Sequence, residues 1–167
     1  ASSPPTRRVL LCSTHAKGDV TVVALGSARA GMGLNRHVMD YLAQHQPAYK
    51  DSGGYSSDGG DYPDYGRAAA EAVASGECDR GIVLCGTGVG ISIAANKVRG
   101  VRAVVCSEPY SALLSRRHND TNVLALGARV VGRALALMIV DAWLMDEYEG
   151  GRHAKRVKML AELDDMR

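Results

Sequence analysis

Apolar and polar positions alternate in blocks along the chain, and turn residues separate the blocks. Thr21-Val-Val-Ala-Leu25 is a nearly unbroken apolar run closed by Gly26-Ser27, as expected of a strand buried on both faces. From Leu34 the period changes, because Leu34, Val38, Tyr41 and Leu42 recur at helical spacing until Pro47 stops them. The exchange then repeats. A helix is expected over Asp64 to Ser75 ahead of Gly76, a strand over Gly81 to Cys85, and a helix over Ile91 to Lys97 after the turn Gly86 to Gly90. A strand over Val101 to Cys106 leads to a helix from Pro109 to Arg117, with proline in its first turn. Val123 to Leu126 reads as a short buried strand and Val130 to Glu147 as a long amphipathic helix. Gly150-Gly151 breaks the chain before a basic helix from Arg152 to about Leu163. Residues 48–62, rich in Gly, Ser and Asp, predict a weak strand and a long loop.

Short strands alternating with longer helices indicate right-handed βαβ units. The expected fold is therefore α/β, a three-layer αβα sandwich with a Rossmann-like parallel sheet of about five strands. The last helix has little sheet left to cover, so it is expected to pack on a partner subunit. Residues 1–20 read as a flexible extension and 21–167 as a single domain.

Composition narrows the function classes. The chain is 46% hydrophobic and 23% charged, which excludes a disordered or fibrous design. Its longest apolar run, Ala134 to Val140, falls far short of the roughly 20 residues that span a bilayer. A net charge of +2 gives no general affinity for nucleic acid, so useful positive charge has to be local. Cys12, Cys78, Cys85 and Cys106 show no metal-ligand spacing and no disulfide framework. Reduced thiols and a start without the order of a secretory signal point to the cytoplasm.

Leu84-Cys-Gly-Thr-Gly-Val-Gly-Ile91 carries the most chemistry. It sets a cysteine at the carboxyl end of a parallel strand, where ligands of such sheets bind, and opens a helix through Gly86, Gly88 and Gly90. The turn amides and the helix amino end suit an anion, and the same surroundings favour a thiolate. The segment is neither the dinucleotide fingerprint in its usual first βα turn nor a P-loop. Cys85 stays open between a small buried hydrophobe and a reactive thiolate; Cys106, also ending a strand, reads as inert. Arg116-Arg-His-Asn-Asp-Thr-Asn122 places His118 and Asn119 on a polar loop expected at the carboxyl edge of the sheet or just beside it. An imidazole there suits proton transfer to a sugar ring oxygen, or simply sits in solvent. Arg152 and Arg156, four residues apart on one helix face, can clamp a phosphate, and Arg129 can join them. Cations at a helix amino end oppose its dipole, so this cluster requires an anion or carboxylates nearby.

Together, Asp61-Tyr-Pro-Asp-Tyr65, the segment 84–98, Gly100 to Tyr110, His118 to Gly127 and Tyr148-Glu-Gly-Gly-Arg-His153 resemble the type B ribose-5-phosphate isomerases of the ribose/galactose isomerase family. The resemblance spans about residues 20–163. It implies a dimer, sometimes paired into a tetramer, that interconverts an aldose phosphate and its ketose with neither metal nor organic cofactor, at sites shared between subunits. By resemblance, Cys85 moves the proton between C2 and C1, and the 86–90 amides with Thr87 hold the enediolate. His118 opens the sugar ring, Asn119 and Tyr62 position the sugar, and Arg129, Arg152 and Arg156 bind phosphate from the other subunit. One stretch departs from the family. Where Asp-His is typical after the first strand, this chain has Ala28-Arg29, so a carboxylate is lost and a guanidinium replaces an imidazole, leaving Arg29 suited to phosphate. Aligning Cys12-Ser-Thr-His-Ala16 there instead fails, because no helix pattern follows it. The expected reaction joins ribose 5-phosphate and ribulose 5-phosphate. The departure also admits a six-carbon sugar phosphate, such as allose or galactose 6-phosphate, or a phosphosugar-binding protein without turnover.

Overall fold

A computed structural model describes residues 21–45, 47–53 and 60–166. The extension over 1–20, with Cys12, and the loop glycines Gly54 and Gly59 lie outside the described residues. Among the described residues five strands form one sheet: β1 (Val22–Ser27), β2 (Ala48–Asp51), β3 (Arg80–Cys85), β4 (Ala103–Val105) and β5 (Val123–Gly127). Every pairing is parallel, in the order β2-β1-β3-β5-β4. The helices are α1 (Met32–His45), α2 (Tyr62–Ala74), α3 (Val89–Asn96), α4 (Pro109–Asn119), α5 (Arg133–Leu144) and α6 (Ala154–Asp164).

Side chains alternate across the sheet and are buried on both sides, which is why the strand sequences read as continuous apolar runs. Val23, Leu25, Ile82, Leu84, Leu124 and Leu126 meet α1 and α5 around Trp143. Ala24, Val83, Cys85, Val123 and Ala125 face the opposite way, onto the alanines of α2 and onto α3. Small residues let that second layer sit close: a Cβ on Gly66 would stand 2.9 Å from Ile91 of α3. The three-layer sandwich is as expected.

Element ends moved where local hydrogen bonds outweigh periodicity. Val130 and Val131 donate back to Gly127 and belong to a turn, so α5 starts only after Gly132. Residues 151–153 form a 3-10 turn ahead of α6, and β4 at the sheet edge is three residues long. α4 runs two residues past Arg117, to Asn119, and Asp120 ends it in the left-handed conformation at φ 48°. His118 and Asn119 are therefore helical rather than on a loop.

From β1 the chain goes outward to β2 and then returns past β1 to β3. The crevice for ligands in a doubly wound sheet opens at such a reversal, above the carboxyl ends of β1 and β3.

Candidate active site

Backbone bonds knit the carboxyl ends of three strands together. The Ala28 N–H, following β1, donates to the Leu84 carbonyl at 2.9 Å; the N–H groups of Ala128 and Arg129, following β5, donate to Cys85 and Gly86 at 2.9 and 3.0 Å. These bonds hold the loops after β1 and β5 against the turn Gly86 to Gly90. Gly88 has φ +80° and directly precedes α3, a conformation that excludes most side chains. Gly127 has no room for one, because a Cβ would lie 2.6 Å from the Thr87 carbonyl.

A cavity of about 470 Å³ opens above this edge. Cys85, Gly86, Thr87 and Gly90 form one wall, and Asp61, Tyr62 and Tyr65 at the start of α2 form another. Ala28, Arg29 and Ala30 line a third side, and Arg129 reaches in from the β5 loop. The Tyr62 ring lies over Gly90, 2.8 Å from where a Cβ would be. The Arg129 guanidinium lies over Gly86, its Nη1 3.2 Å from the equivalent point.

Cys85 is buried yet lines the cavity, and its Sγ accepts the Gly88 N–H at 3.1 Å. That N–H and the amino end of α3 place positive partial charge beside the sulfur. The Val89 N–H is used by Thr87 Oγ1 at 3.3 Å, so two of the turn's amides already have protein acceptors. The other described cysteines differ. Burial first, then Glu108, pushes the Cys106 thiol up to about 11. Burial first, then Glu77, does the same for Cys78. Both thiols are inert at neutral pH.

The remaining expected site residues gather elsewhere. α4 delivers the chain into the amino end of β5, and Val123 pairs with Gly81 while Gly127 pairs with Cys85. Four residues of strand, about 13 Å, separate those levels. His118 and Asn119 thus lie at the amino edge, not at the carboxyl edge: the segment 116–122 enters a strand, and among the described residues the pocket is lined by segments leaving strands. His118 stacks on His153 with ring centroids 4.1 Å apart. Glu149 Oε2 stands 4.0 Å from His118 Nε2 and 3.9 Å from His153 Nε2. Arg152 and Arg156 are near enough to act on His153 electrostatically, and Glu149 is the carboxylate their cluster required. Burial, then His118 and Arg152, lower the His153 pKa against the pull of Glu149. Arg129 is the second relocation. It does not join Arg152 and Arg156, because its backbone bond to Gly86 fixes it in the pocket of its own chain.

This second cluster is held firmly. The Glu149 N–H donates to the Arg117 carbonyl at 3.0 Å, and Arg117 Nε donates to both oxygens of Asp146, at 2.9 and 3.0 Å. Trp143 Nε1 donates to Thr121 at 2.9 Å, with the guanidinium groups of Arg80 and Arg116 5.6 and 5.9 Å from its ring. His118, Glu149 and His153 bring ligand atoms within 4.8 Å of one another. Parallel stacked imidazoles do not direct both lone pairs at one ion, and two neighbouring arginines repel a dication. The cluster suits an anion. His153 Nε2 is buried with no hydrogen-bond partner among the described residues, and neither this histidine nor Glu149 is singled out as a site residue by the sequence. Their signals were the spacing of four to each other and their place in the motif Tyr148 to His153, in a segment whose contact with α4 the sequence does not reveal.

Along α6 no side chain is buried, and Met159, Leu160 and Leu163 are about half exposed. Its far end is fastened by an Arg99–Asp165 ion pair and by the Gly100 N–H donating to Asp164 at 2.9 Å. Among the described residues no helix is long and apolar enough to cross a membrane.

Comparison with known proteins converges on one group. The family model described as Ribose/Galactose Isomerase matches residues 23–160. The chain is 56% identical over 145 residues to ribose-5-phosphate isomerase B of Escherichia coli K12, covering 87% of this chain and 97% of that protein. It is 43% identical over 140 residues to the D-erythrulose-4-phosphate isomerase of Pectobacterium atrosepticum, covering 83% of this chain and 91% of that protein. The solved structure of Clostridium thermocellum ribose-5-phosphate isomerase B superposes with a TM-score of 0.85 at 53% identity, covering 87% of this chain and 99% of that one.

Proposed function

The chain belongs to the ribose/galactose isomerase family, and from that premise we propose that it interconverts ribose 5-phosphate and ribulose 5-phosphate through an enediolate. The observation that carries the reading is Cys85 Sγ, at the carboxyl end of β3, facing a cavity while accepting the Gly88 N–H at 3.1 Å.

A proton beside a carbonyl is too weakly acidic to leave unless the oxyanion formed is stabilised. The Cys85 thiolate takes the proton from C2 and returns it to C1, while the hydroxyl proton passes between the two oxygens, so no oxidant or cofactor is consumed. Thr87 and the turn amides not already used by Cys85 and Thr87 meet the enediolate oxygen. Tyr62 lies over the turn to position the sugar, and Arg29 and Arg129 bring positive charge for the phosphate.

His118, Asn119, Arg152 and Arg156 serve the pocket of a second copy. Their distance from Cys85 along the sheet supports this, as does the apolar face of α6, which has no cover among the described residues. In the resulting homodimer the second copy's His118 opens the sugar ring, its Asn119 helps hold the sugar, and its arginines grip phosphate remote from the reacting carbons. The metabolic setting proposed is the pentose phosphate pathway, in the cytoplasm.

Replacing Cys85 by alanine tests the reading. Turnover of ribose 5-phosphate should fall by about three orders of magnitude or more, with the circular dichroism spectrum unchanged. A Cys85→Ala protein that keeps even a tenth of the activity removes the sulfur from the chemistry.

A further inference from the structure

We propose that residues 28–30 make this site read its substrate's phosphate in preference to the sugar hydroxyls, so that it turns over pentose phosphates of different hydroxyl configuration at comparable rates. The inference rests on the isomerase reading above and concerns its specificity.

The walls of the cavity differ in what they offer a sugar. Asp61, Tyr62 and Thr87 present oxygen atoms that accept hydrogen bonds. The loop after β1 presents a methyl, a guanidinium and a second methyl, from Ala28, Arg29 and Ala30. A guanidinium has five donors and no acceptor, so no side chain of this loop can accept from a hydroxyl.

Nor does its backbone readily adapt. The Ala28 N–H is bonded to Leu84 at 2.9 Å, and the Ala28 carbonyl accepts from Gly31 at 2.8 Å. Gly31 packs so closely that a Cβ there would be 2.8 Å from the Leu84 carbonyl, which holds the loop at this distance from β3.

The energetic consequence is asymmetric. A site that hydrogen-bonds a substrate hydroxyl rejects the analogue without it by roughly 10⁴ to 10⁵, because the protein's buried polar group is left unpaired. A methyl loses no partner, and so supplies no such penalty. Phosphate recognition moves the other way. Arg29 and Arg129 bring two permanently charged forks to one cavity, and a guanidinium matches phosphate oxygens whatever the configuration of the carbons between.

The test measures kcat/KM for ribose 5-phosphate and for its C3 epimer, xylose 5-phosphate, with the wild-type protein, Ala28→Asp and Arg29→Ala. The wild-type ratio is expected to lie within about tenfold. Ala28→Asp should change that ratio by tenfold or more. Arg29→Ala should lower both values alike, by about 10- to 100-fold and mainly through KM. A wild-type ratio beyond about 10³, or an Arg29→Ala effect confined to one epimer, overturns the proposal. Should Ala28→Asp fail to fold, the wild-type and Arg29→Ala ratios decide it alone. If folded wild-type protein shows no turnover of ribose 5-phosphate, the isomerase reading fails separately. Calorimetric affinities for the two epimers then decide the specificity, equal values supporting it and a hundredfold gap opposing it.

Discussion

At the carboxyl edge of the sheet the backbone builds the site, whereas at the amino edge side chains from distant segments build it. Gly86 to Gly90, the β1 loop and the β5 loop are locked by main-chain bonds, and the pocket is what remains between them. His118, Glu149, His153, Arg152 and Arg156 instead depend on α4 docking against the segment before α6, through Arg117, Asp146 and Trp143. The first arrangement is complete in one chain as a cavity. The second is a cationic cluster whose buried His153 Nε2 has no hydrogen-bond partner among the described residues. On the proposed reading each edge supplies half of a site, and the difference teaches that the halves fail in different ways.

The largest expected effect is structural and falls on the amino edge. Trp143→Ala removes a fully buried ring, the Thr121 hydrogen bond and two guanidinium contacts. It should cost about 3–5 kcal/mol in denaturant unfolding; a loss below ~1 kcal/mol would show that Trp143 does not organise this edge. Next comes Gly127→Ala, whose Cβ would meet the Thr87 carbonyl at 2.6 Å. It should cost about 1–3 kcal/mol and displace the turn, so that kcat falls while KM changes less. Unchanged kcat would mean that the turn's position is not critical.

Arg156→Ala should act in the reverse sense. KM for ribose 5-phosphate rises by about 10- to 100-fold and kcat holds within a few-fold, since the removed interaction serves ground state and transition state alike. A kcat-only effect would contradict a phosphate role. The smallest effect is pH-linked. The His153 pKa is lowered in the folded chain, so the unfolded chain binds more protons once the pH falls below about 6.5, and stability drops there. His153→Gln should flatten stability between about pH 7 and pH 5. A slope identical to wild type would show that the lowered pKa is not linked to folding.

Most of the fold was legible because doubly buried strands and amphipathic helices have different periods. The ends of α5 and α6 were not, since Val130 and residues 151–153 are apolar or basic enough to extend a helix by pattern, yet turn through local backbone bonds. Half of the site was legible too. A cysteine, a glycine turn and a helix start adjoin in sequence and in space, which made Cys85 and Gly86 to Gly90 visible. The sequence points His118 to the wrong edge because residue type says nothing of strand direction. That requires knowing that 116–122 leads into β5 rather than out of a strand. Glu149 and His153 needed a contact between α4 and the chain before α6, which no local spacing encodes. Charge alone groups Arg129 with Arg152 and Arg156, whereas its backbone bond to Gly86 decides where it sits.

Mixing two inactive variants tests the shared site most directly. Cys85→Ala lacks the carboxyl-edge half and His118→Ala lacks the amino-edge half. If each site joins one edge from each of two copies, a mixed dimer holds one intact site and one doubly defective site. Random reassociation of equal amounts should then restore about a quarter of wild-type activity. Activity that stays at the level of the two separate variants, with mixed dimers present by native mass spectrometry, would contradict the account.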